Sequence, residues 1–249
     1  MPPRRAGARP RLYRRGQLPH LAADRTPPRG DALAVIVPSL DLAYFPVPKN
    51  ACSTLKIALY EINEGRPYAP LARPDGTMVH VHEFPGYDSL PLTPATLEAT
   101  AALSRIAVVR DPLRRLVSCY KNRVLHFREL STKHLPTEAF ARAGLPQDPA
   151  FDLFIERLDE YRALSWSISH HSDLQRTFLG EDRGAFEQIF TLAELPRLEA
   201  WLRARAGRDL QLPHAQRGGQ EFPDPEITPE TRRRMLDYCA PDLGLWWDA

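Results

Sequence analysis

The chain has 249 residues, a length that suits one large α/β domain or two small ones. Apolar residues make up 43% of the sequence, so a sizeable core can form, and the formal net charge of only +2 excludes any argument from bulk charge. The charge is nevertheless uneven, because residues 1–30 contain eight arginines and one aspartate. We interpret residues 1–30 as a flexible Arg/Pro-rich tail, with a phosphate-binding arm or part of a transit peptide as alternatives, and residues 31–249 as a single domain.

The cysteines and the apolar runs indicate the cellular compartment. Three cysteines without paired spacing fit a reducing compartment better than a disulfide framework. No apolar run approaches the roughly 18–20 residues that a transmembrane helix needs, and the Arg-rich start lacks the apolar stretch of a secretory signal. We therefore expect a cytoplasmic protein without a transmembrane segment. Its oligomeric state is left open.

The apolar pattern alternates between strand-like and helix-like segments. In the first half it predicts strands at 32–39 and 42–47, a helix at 51–65, a loop to 77, a strand at 77–84, a helix at 92–104, a strand at 105–110 and a helix at 111–127. In the second half it predicts a loop-like 128–150, a helix at 151–164, a strand at 186–192, a helix at 194–207 and a last helix capped by Thr228. This order predicts an α/β fold with a mainly parallel central sheet.

The first strand-to-helix junction, at residues 47–55, has the features of an anion site. In a parallel sheet such junctions lie at the carboxyl edge, where ligands bind, and the free N–H groups of the helix favour anions. This junction offers the charge of Lys49, the backbone amides of residues 50–54 and the hydroxyl groups of Ser53 and Thr54. We therefore expect it to bind an anionic group.

The second junction, at residues 109–118, repeats this arrangement with an arginine. Arg110 ends the strand, and Ser118 follows two turns into the helix. Asp111 is a natural N-cap, and Pro112 occupies the first helical position, where its missing N–H has no cost. Two anion sites about 60 residues apart predict a ligand that carries phosphate at two places.

The first junction does not match the phosphate-binding loop of ATP and GTP enzymes. That loop has the pattern G-x-x-x-x-G-K-[ST], in which the lysine follows the glycines. Here Lys49 precedes the small residues, and the loop contains no glycine. An ATP-dependent kinase therefore remains an alternative function, against which the position of the lysine argues.

The two junctions resemble the cofactor motifs of a known enzyme family. VPKNACSTLK (47–56) is similar to the 5′-phosphosulfate loop of sulfotransferases that use 3′-phosphoadenosine 5′-phosphosulfate (PAPS). VVRDPLRRLVSCYKNR (108–123) is similar to their 3′-phosphate motif. Together they resemble sulfotransferase family 2, the Golgi-type carbohydrate sulfotransferases with chondroitin and 2-O-sulfotransferase relatives, over roughly residues 40–247. The resemblance implies a three-layer α/β/α fold similar to the P-loop nucleotide kinases.

Weaker similarities extend this resemblance along the chain. HHSDLQRTFLG (170–180) resembles the family's H-x-x-x-Q segment, and FEQIFTLAEL (186–195) resembles the strand-to-helix turn that follows it. LPHAQRGG (212–219) lies where many members carry a Pro-His-x-Asn loop, and Gln216 takes the place of the asparagine. Golgi members carry a transmembrane anchor and disulfides, so the lack of both here implies a soluble, bacterial member.

The resemblance implies how the donor is bound. PAPS would be the sulfuryl donor and adenosine 3′,5′-bisphosphate (PAP) the product, with no metal. Lys49 would contact the bridging oxygen and stabilise charge on the leaving phosphate. Arg110 and Ser118 would bind the 3′-phosphate through charge-assisted hydrogen bonds. The cradle of the 5′-phosphate would consist of the amides of Asn50, Ala51, Cys52, Ser53 and Thr54.

A transfer to a hydroxyl group needs a base, and the segment VHVHEF offers two histidines. His80 and His82 are two residues apart, so on a strand their side chains face the same way. The 2-O-sulfotransferase relatives have a similar His-x-His between the cofactor motifs, which implies that one of these histidines is the base. His82 is the first choice with His80 as its partner, and Glu83 is the alternative base.

The acceptor is less well defined by the sequence. The resemblance implies a hydroxyl of a saccharide or glycolipid-like molecule, with Glu83, His171 and Gln175 as candidate contacts. Nucleic acid is not expected as a partner. A non-catalytic module that binds anions or nucleic acid through the basic residues 1–30 is the second alternative function, and it predicts binding that depends strongly on salt.

Overall fold

A four-stranded sheet forms the centre of the computed structural model, which describes residues 34–76, 78–213 and 221–248. The expectations for residues 1–30 and for Gln216 lie outside these residues. The strands in chain order are β1 (Val35–Val37), β2 (Leu42–Phe45), β3 (Leu71–Ala72), β4 (Met78–Val79), β5 (Ser104–Val109) and β6 (Gln188–Thr191). Strands β3 and β4 pair with each other in a separate two-stranded sheet.

The central sheet has the order β1-β2-β5-β6. Strand β1 is antiparallel to β2, whereas β2, β5 and β6 run parallel, with Tyr44 opposite Ile106 and Val108 opposite Phe190. The carboxyl ends of the three parallel strands therefore lie at one edge. The predicted α/β fold with parallel strands in its central sheet is confirmed.

Ten helices surround the sheet. They are α1 (Cys52–Glu64), α2 (Pro94–Ala99), α3 (Pro112–Cys119), α4 (Thr137–Ala143), α5 (Phe151–Glu156), α6 (Leu158–Leu164), α7 (Trp166–Ser172), α8 (Gln175–Leu179), α9 (Leu195–Ala206) and α10 (Pro229–Cys239), within the described residues. Helix α3 continues without a break into a π-helix, Tyr120–His126.

Side chains that alternate along the strands build a core on each face of the sheet. In β2, Leu42 and Tyr44 pack with residues of α1 and α9, whereas Ala43 and Phe45 pack on the opposite face with α8 and Trp246. All four side chains are buried, as expected for a central strand covered on both faces. Helices α3, α5, α6, α7 and α10 share a third apolar cluster beside the sheet.

Several predicted elements differ in the structure. The strand predicted at 77–84 is limited to β4, and a 3₁₀ turn follows at Val81–Glu83 because the Glu83 carboxylate accepts the His80 N–H at 2.7 Å. The loop-like 128–150 contains α4, and the helix predicted at 151–164 is divided at Arg157 into α5 and α6. The sequence patterns did not predict α7 and α8, which are short and depend on packing rather than on propensity.

All three cysteines are unpaired and buried. None of the helices in the described part of the chain is both long enough and apolar enough to span a bilayer.

Candidate functional site

The loop between β2 and α1 has a strained backbone without glycine. Lys49 has a φ of 71° and Ala51 a φ of 58°, both in the left-handed region, which costs roughly 1–2 kcal/mol per residue for L-amino acids. Two arginines hold this loop, because Arg115 Nε donates to Pro48 O at 2.9 Å and Arg110 Nη1 donates to Lys49 O at 3.1 Å. The strained conformation is therefore fixed by contacts from the neighbouring strand-to-helix junction.

Helix α1 begins without a side-chain cap at Ala51. Its first backbone hydrogen bond runs from Leu55 N to Ala51 O at 3.1 Å. The amides of Cys52, Ser53 and Thr54 find no acceptor among the residues that the structure describes. Unpaired amides at a helix N-terminus attract anions, so this helix start can bind a phosphate group.

Asn50 does not take the place that the sequence predicted for it. Its amide donates to Val47 O at 3.2 Å, so this N–H is already used within the loop. Its side chain is fully buried, with Nδ2 donating to Val108 O at 2.9 Å and to Gln175 Oε1 at 2.7 Å. The amides available to a ligand therefore start after Asn50, and its side chain fixes the loop.

Lys49 lies in an environment with excess positive charge. Its Nζ donates to Asn122 Oδ1 at 2.6 Å, and no carboxylate in the described chain forms an ion pair with it. The pKa of Lys49 is lowered to about 8, mainly by burial; Cys119 and Cys52 act to raise it, and the nearby cations Arg123 and Arg110 act to lower it. An anionic ligand would relieve this repulsion and stabilise the charged lysine.

The second junction, after β5, has the predicted cap. The Asp111 carboxylate accepts hydrogen bonds from Leu113 N at 2.8 Å and Arg114 N at 3.2 Å, with Pro112 at the first helical position. These amides are therefore occupied, and the expectation that free N–H groups attract an anion here is wrong. What this junction offers is the partly buried Arg110 guanidinium.

Arg110 and Lys49 lie on adjacent strand ends. The pairing of β2 with β5 brings the two junctions together, and the Arg110 guanidinium contacts the Lys49 carbonyl. Burial lowers the pKa of Arg110, with Arg115 as the next cause. Ser118 is partly exposed on α3 and makes no side-chain hydrogen bond within the described residues. Two cationic side chains and a free hydroxyl are thus available near one edge of the sheet.

Gln175 connects the two junctions instead of facing a ligand. It is fully buried at the start of α8, where its Oε1 accepts from Asn50 Nδ2 at 2.7 Å and from Arg110 N at 2.9 Å. Its Nε2 donates to Arg110 O at 2.9 Å. Its backbone N–H in turn donates to the buried Asp242 at 2.8 Å. These contacts make Gln175 a positioning residue rather than the predicted substrate contact.

The π-helix after α3 brings further polar side chains to the site. π-Helical turns are rare and are found mostly where function requires them. This one supplies Asn122, the acceptor for Lys49, and Arg123, which pairs with Glu129 at 3.0 Å and donates to His171 Nε2 at 2.6 Å. Sequence patterns do not distinguish a π-helix from an α-helix, so neither residue was predicted.

His171 holds Arg123 in place. Its Nδ1–H donates to Ser167 O at 2.7 Å, which leaves the lone pair of Nε2 to accept from Arg123. Burial is the main cause that lowers the pKa of His171 well below its usual range, followed by the charge of Arg123. Both nitrogens are engaged within the protein, so the predicted contact of His171 with substrate is not supported by this arrangement.

His80 and His82 face each other although the predicted strand is absent. Their rings are stacked, with centroids 4.8 Å apart and an interplanar angle of 2°. His82 Nε2 lies 2.7 Å from Ser53 Oγ, and its Nδ1 lies 2.7 Å from Lys56 Nζ. Burial lowers the pKa of His82 to about 3, with Lys56 as the second cause, so the imidazole is neutral at pH 7.

Both carboxylate oxygens of Glu83, the alternative base, already have partners within the protein. One carboxylate oxygen accepts the His80 N–H, and the other pairs with Arg73. The carboxylate is therefore positioned to close the 3₁₀ turn.

Lys56 is a site residue that the sequence analysis missed. It is completely buried on α1 and contacts both His82 and Ser89 Oγ, the latter at 2.8 Å. A signal was present, because Lys56 lies among Leu55 and Leu59 on the apolar face of an amphipathic helix. A charged residue at such a position is rarely buried without a partner.

The side chains of the site fit a ligand with two anionic ends. One end has uncapped helix amides and Lys49, and the other has Arg110 and Ser118. Among residues 34–76, 78–213 and 221–248, no three His, Cys, Asp or Glu side chains cluster as metal ligands. The site therefore has the composition expected for binding a doubly phosphorylated molecule.

Comparison with known proteins gives one match. Residues 33–221, about three quarters of the chain, match the model of a family described as the sulfotransferase family. No curated protein and no solved structure matches the chain. The matched segment contains both strand-to-helix junctions, the two stacked histidines and Gln175.

Proposed function

Since the chain belongs to the sulfotransferase family, we propose that it transfers a sulfuryl group from PAPS to a hydroxyl of a saccharide or glycolipid-like acceptor and releases PAP. The observation that carries the proposal is the adjacency of the two cationic junctions. Arg110 contacts the carbonyl of Lys49, and Lys49 has no carboxylate partner in the described chain. A nucleotide with phosphate at both the 5′ and 3′ positions complements this arrangement. The proposal includes a three-layer fold related to the nucleotide kinases.

The 5′ end of the donor would be bound by the start of α1. The unpaired amides of Cys52, Ser53 and Thr54 and the positive end of the helix dipole favour a phosphate there. Cys52 is buried, and its small side chain leaves room for close approach to the backbone.

The 3′-phosphate would be bound by side chains rather than by the backbone. The N-terminal amides of α3 are taken by Asp111, which leaves the Arg110 guanidinium and the Ser118 hydroxyl. Arg110 is bound to the Lys49 carbonyl through Nη1, and its remaining N–H groups are available for phosphate.

Lys49 would supply the positive charge that stabilises the negative charge developing on the leaving phosphate. Sulfuryl transfer has the same demands as phosphoryl transfer, namely in-line geometry and a neutralised leaving group. When bound, PAPS supplies the transferable sulfuryl group. Asn122 and the strained loop hold the Lys49 ammonium in one place, so little reorganisation is needed when negative charge builds up on the leaving phosphate.

His82 would be the base. It is neutral at pH 7 and is bonded to Ser53 on the helix that starts at the anion site. An acceptor hydroxyl that replaces Ser53 at Nε2 would lie next to the phosphosulfate end of the donor. His80 stacks on His82 and limits its rotation.

An exposed aromatic ring supports a saccharide acceptor. Trp166 is 76% exposed, and one of its faces stacks on His170 with ring centroids 4.9 Å apart. His170 also contacts His171, which holds Arg123 at the cationic site. Tryptophan rings with one free face and a nearby polar group are suited to amphipathic ligands such as sugars.

Calorimetry with PAP and with ATP tests the donor. We expect the unaltered protein to bind PAP more tightly than ATP, and Arg110→Ala to weaken PAP binding by roughly 10- to 100-fold, as expected for the loss of charge-assisted hydrogen bonds. Lys49→Ala should weaken PAP binding less, because its main role is at the transferred group. Arg142→Ala, an exposed arginine on α4, is the matched control. Equal affinity of all four proteins for PAP would refute the donor site.

A second pair of variants tests the roles of the acceptor side. His82→Ala should retain PAP affinity and lose transfer, whereas Trp166→Ala should raise the KM for the acceptor with kcat and PAP affinity unchanged. If His82→Ala retains transfer, His82 is not the base. If Trp166→Ala leaves the KM unchanged, the saccharide contact is elsewhere.

A further inference from the structure

We propose that the base is a dyad, in which His82 Nε2 takes the proton of the acceptor hydroxyl and His82 Nδ1 passes its own proton to the amine of Lys56. This inference rests on the proposed function and deepens it. It assigns a catalytic role to a lysine that lies outside both donor-binding junctions. The donor-binding lysine, Lys49, is a different residue with a different partner.

The geometry around Lys56 is that of a proton acceptor held in place. Lys56 lies one helical turn after Ser53, so both side chains face His82 from the same side of α1. Ser53 contacts Nε2 and Lys56 contacts Nδ1, each at 2.7 Å. Ser89 Oγ, at 2.8 Å from Lys56 Nζ, is a second contact that restricts the orientation of the amine. The imidazole is thus bonded at both nitrogens.

Two protonation arrangements satisfy these contacts. If Lys56 is an ammonium, it donates to Nδ1, and the proton of the neutral imidazole lies on Nε2 and points to Ser53. If Lys56 is a neutral amine, Nδ1–H donates to Lys56, and Nε2 accepts from the Ser53 hydroxyl. Only the second arrangement has a lone pair on Nε2, which is the nitrogen on the side of the anion site.

Burial makes the neutral amine of Lys56 accessible near neutral pH. Lys56 is completely buried, and no carboxylate of the described chain forms an ion pair with it. Burial lowers its pKa to about 8, against smaller opposing effects of Cys52 and Asp88. A lysine that is usually protonated up to pH 10 therefore exchanges its proton near neutral pH.

Two cations on other elements lower the pKa of His82, and one carboxylate opposes them. Arg123 on the π-helix and Lys49 on the β2–α1 loop lower the pKa of His82, and the exposed Asp88 raises it slightly. Lys56 also lowers the pKa values of His80 and His170. The imidazole therefore avoids a second proton, and a base at this position needs another group to receive the charge.

The proton balance of the step is complete. The acceptor oxygen forms a bond to sulfur while the bond between sulfur and the phosphate oxygen breaks. The hydroxyl proton moves to His82 Nε2, and the Nδ1 proton moves to Lys56, which becomes an ammonium. His82 is neutral before and after the step, and Lys56 returns its proton to solvent before the next turnover.

Nitrogen-15 NMR of the imidazole tests the dyad without any reaction. We expect His82 to carry its proton on Nε2 at about pH 6.5 and on Nδ1 at about pH 9.5, with a midpoint near the pKa of Lys56. His82→Gln assigns the signal among the eight histidines. Lys56→Met should abolish the pH-dependent change. A tautomer that is the same at both pH values would overturn the inference.

The pH dependence of turnover is the second test. With saturating PAPS, kcat should rise with pH as Lys56 loses its proton, and Lys56→Met should remove this rise and lower kcat about 100-fold, a typical contribution of acid–base catalysis. Lys56→Arg carries a permanent charge and should be equally slow, whereas a purely structural lysine would be partly replaced by arginine. PAP affinity should be the same in all three proteins.

The outcomes separate this inference from the proposed function. If PAP binds and turnover occurs but Lys56→Met retains the full pH profile, only the dyad is wrong. If the unaltered protein fails to bind PAP, the proposed function fails, and the tautomer measurement then decides only whether Lys56 controls His82. Far-ultraviolet circular dichroism and thermal melts identify variants that do not fold. If only one of Lys56→Met and Lys56→Arg folds, the folded variant still tests the role of Lys56.

Discussion

The two strand-to-helix junctions of the candidate site look alike in sequence but start their helices differently. After β2, α1 has no side-chain cap, and Lys49 and Ala51 lie in the left-handed region. After β5, α3 has an aspartate cap, a proline at the first position and no left-handed residue at the junction. The first helix start is strained and has unpaired amides, whereas the second is relaxed and has its amides satisfied.

This difference means that the two proposed anion sites on one sheet edge would bind through different groups. At the β2 junction the proposed binding group is the backbone itself, so its strain would be the cost of directing amides at a ligand. At the β5 junction Asp111 already occupies the amides, and binding depends on the Arg110 side chain. Loss of one side chain should therefore weaken the second site more than the first.

The largest expected effect comes from breaking the connection between the junctions. Gln175→Ala removes three hydrogen bonds that join the Asn50 side chain to the backbone of Arg110. At about 1 kcal/mol for each bond, we expect the free energy of unfolding to fall by about 3 kcal/mol. Denaturant unfolding measures this change.

A matched control shows whether the effect is specific. Gln147 makes no side-chain hydrogen bond within the described part of the chain, so Gln147→Ala should change stability by less than about 0.5 kcal/mol. If Gln175→Ala costs no more than Gln147→Ala, the two junctions are held together by something other than this amide.

Acid should destabilise the first junction, because burial lowers the pKa of His82, which is bonded to Ser53 there. Its folded-state pKa of about 3 lies below the unfolded value near 6.5, so its contribution to stability is complete above pH 6.5 and is lost as the pH falls towards 3. Between pH 7 and pH 5 we expect His82 to account for about 1–2 kcal/mol of the loss in the free energy of unfolding. His80, His170 and His171, whose pKa values burial also lowers, add losses of the same sign. His82→Gln should show a smaller loss over the same range, and an identical loss would contradict the assignment.

The junctions also show how far the sequence predicts the site. The adjacency of Lys49 and Arg110 was predictable, since parallel strands end at one edge and both residues follow strands whose apolar pattern is clear. The Asp111 cap was also predictable, because capping is a local interaction between residues close in sequence. Helix α1 was predicted within one residue at each end.

The connections across the site were not predictable, because they join distant parts of the chain. Gln175 is 125 residues from Asn50, and Arg123 is 48 residues from His171. Their partners are decided by packing, not by local propensity. The sequence correctly predicted that His80 and His82 lie close together, but it placed them on a strand. The alternating pattern predicted that strand, whereas Glu83 closes a 3₁₀ turn there.

A smaller effect should come from the cap of the second junction. Asp111→Ala leaves the amides of Leu113 and Arg114 unpaired, and loss of an N-cap typically costs about 1 kcal/mol. The start of α3 in this variant should resemble the start of α1, because it would have unpaired amides beside Arg110. We therefore expect lower stability without PAP and a larger stabilisation by PAP, measured as the shift in Tm. Asp111→Asn, which retains a capping oxygen, should change stability less.

The smallest expected effect has the opposite sign and concerns the strain at the first junction. Ala51→Gly removes the Cβ from a residue with a φ of 58°, which relieves strain, although glycine gains more freedom in the unfolded chain. The difference should stabilise the protein by less than about 1 kcal/mol. The matched control is Ala58→Gly in the middle of α1, which should destabilise by at least roughly 1 kcal/mol, because Ala58 is also fully buried in the core. Because the left-handed turn is already fixed by Arg110 and Arg115, PAP affinity should be unchanged in Ala51→Gly. Weaker PAP binding in this variant would mean that the strain itself, rather than the unpaired amides, prepares the loop for its ligand.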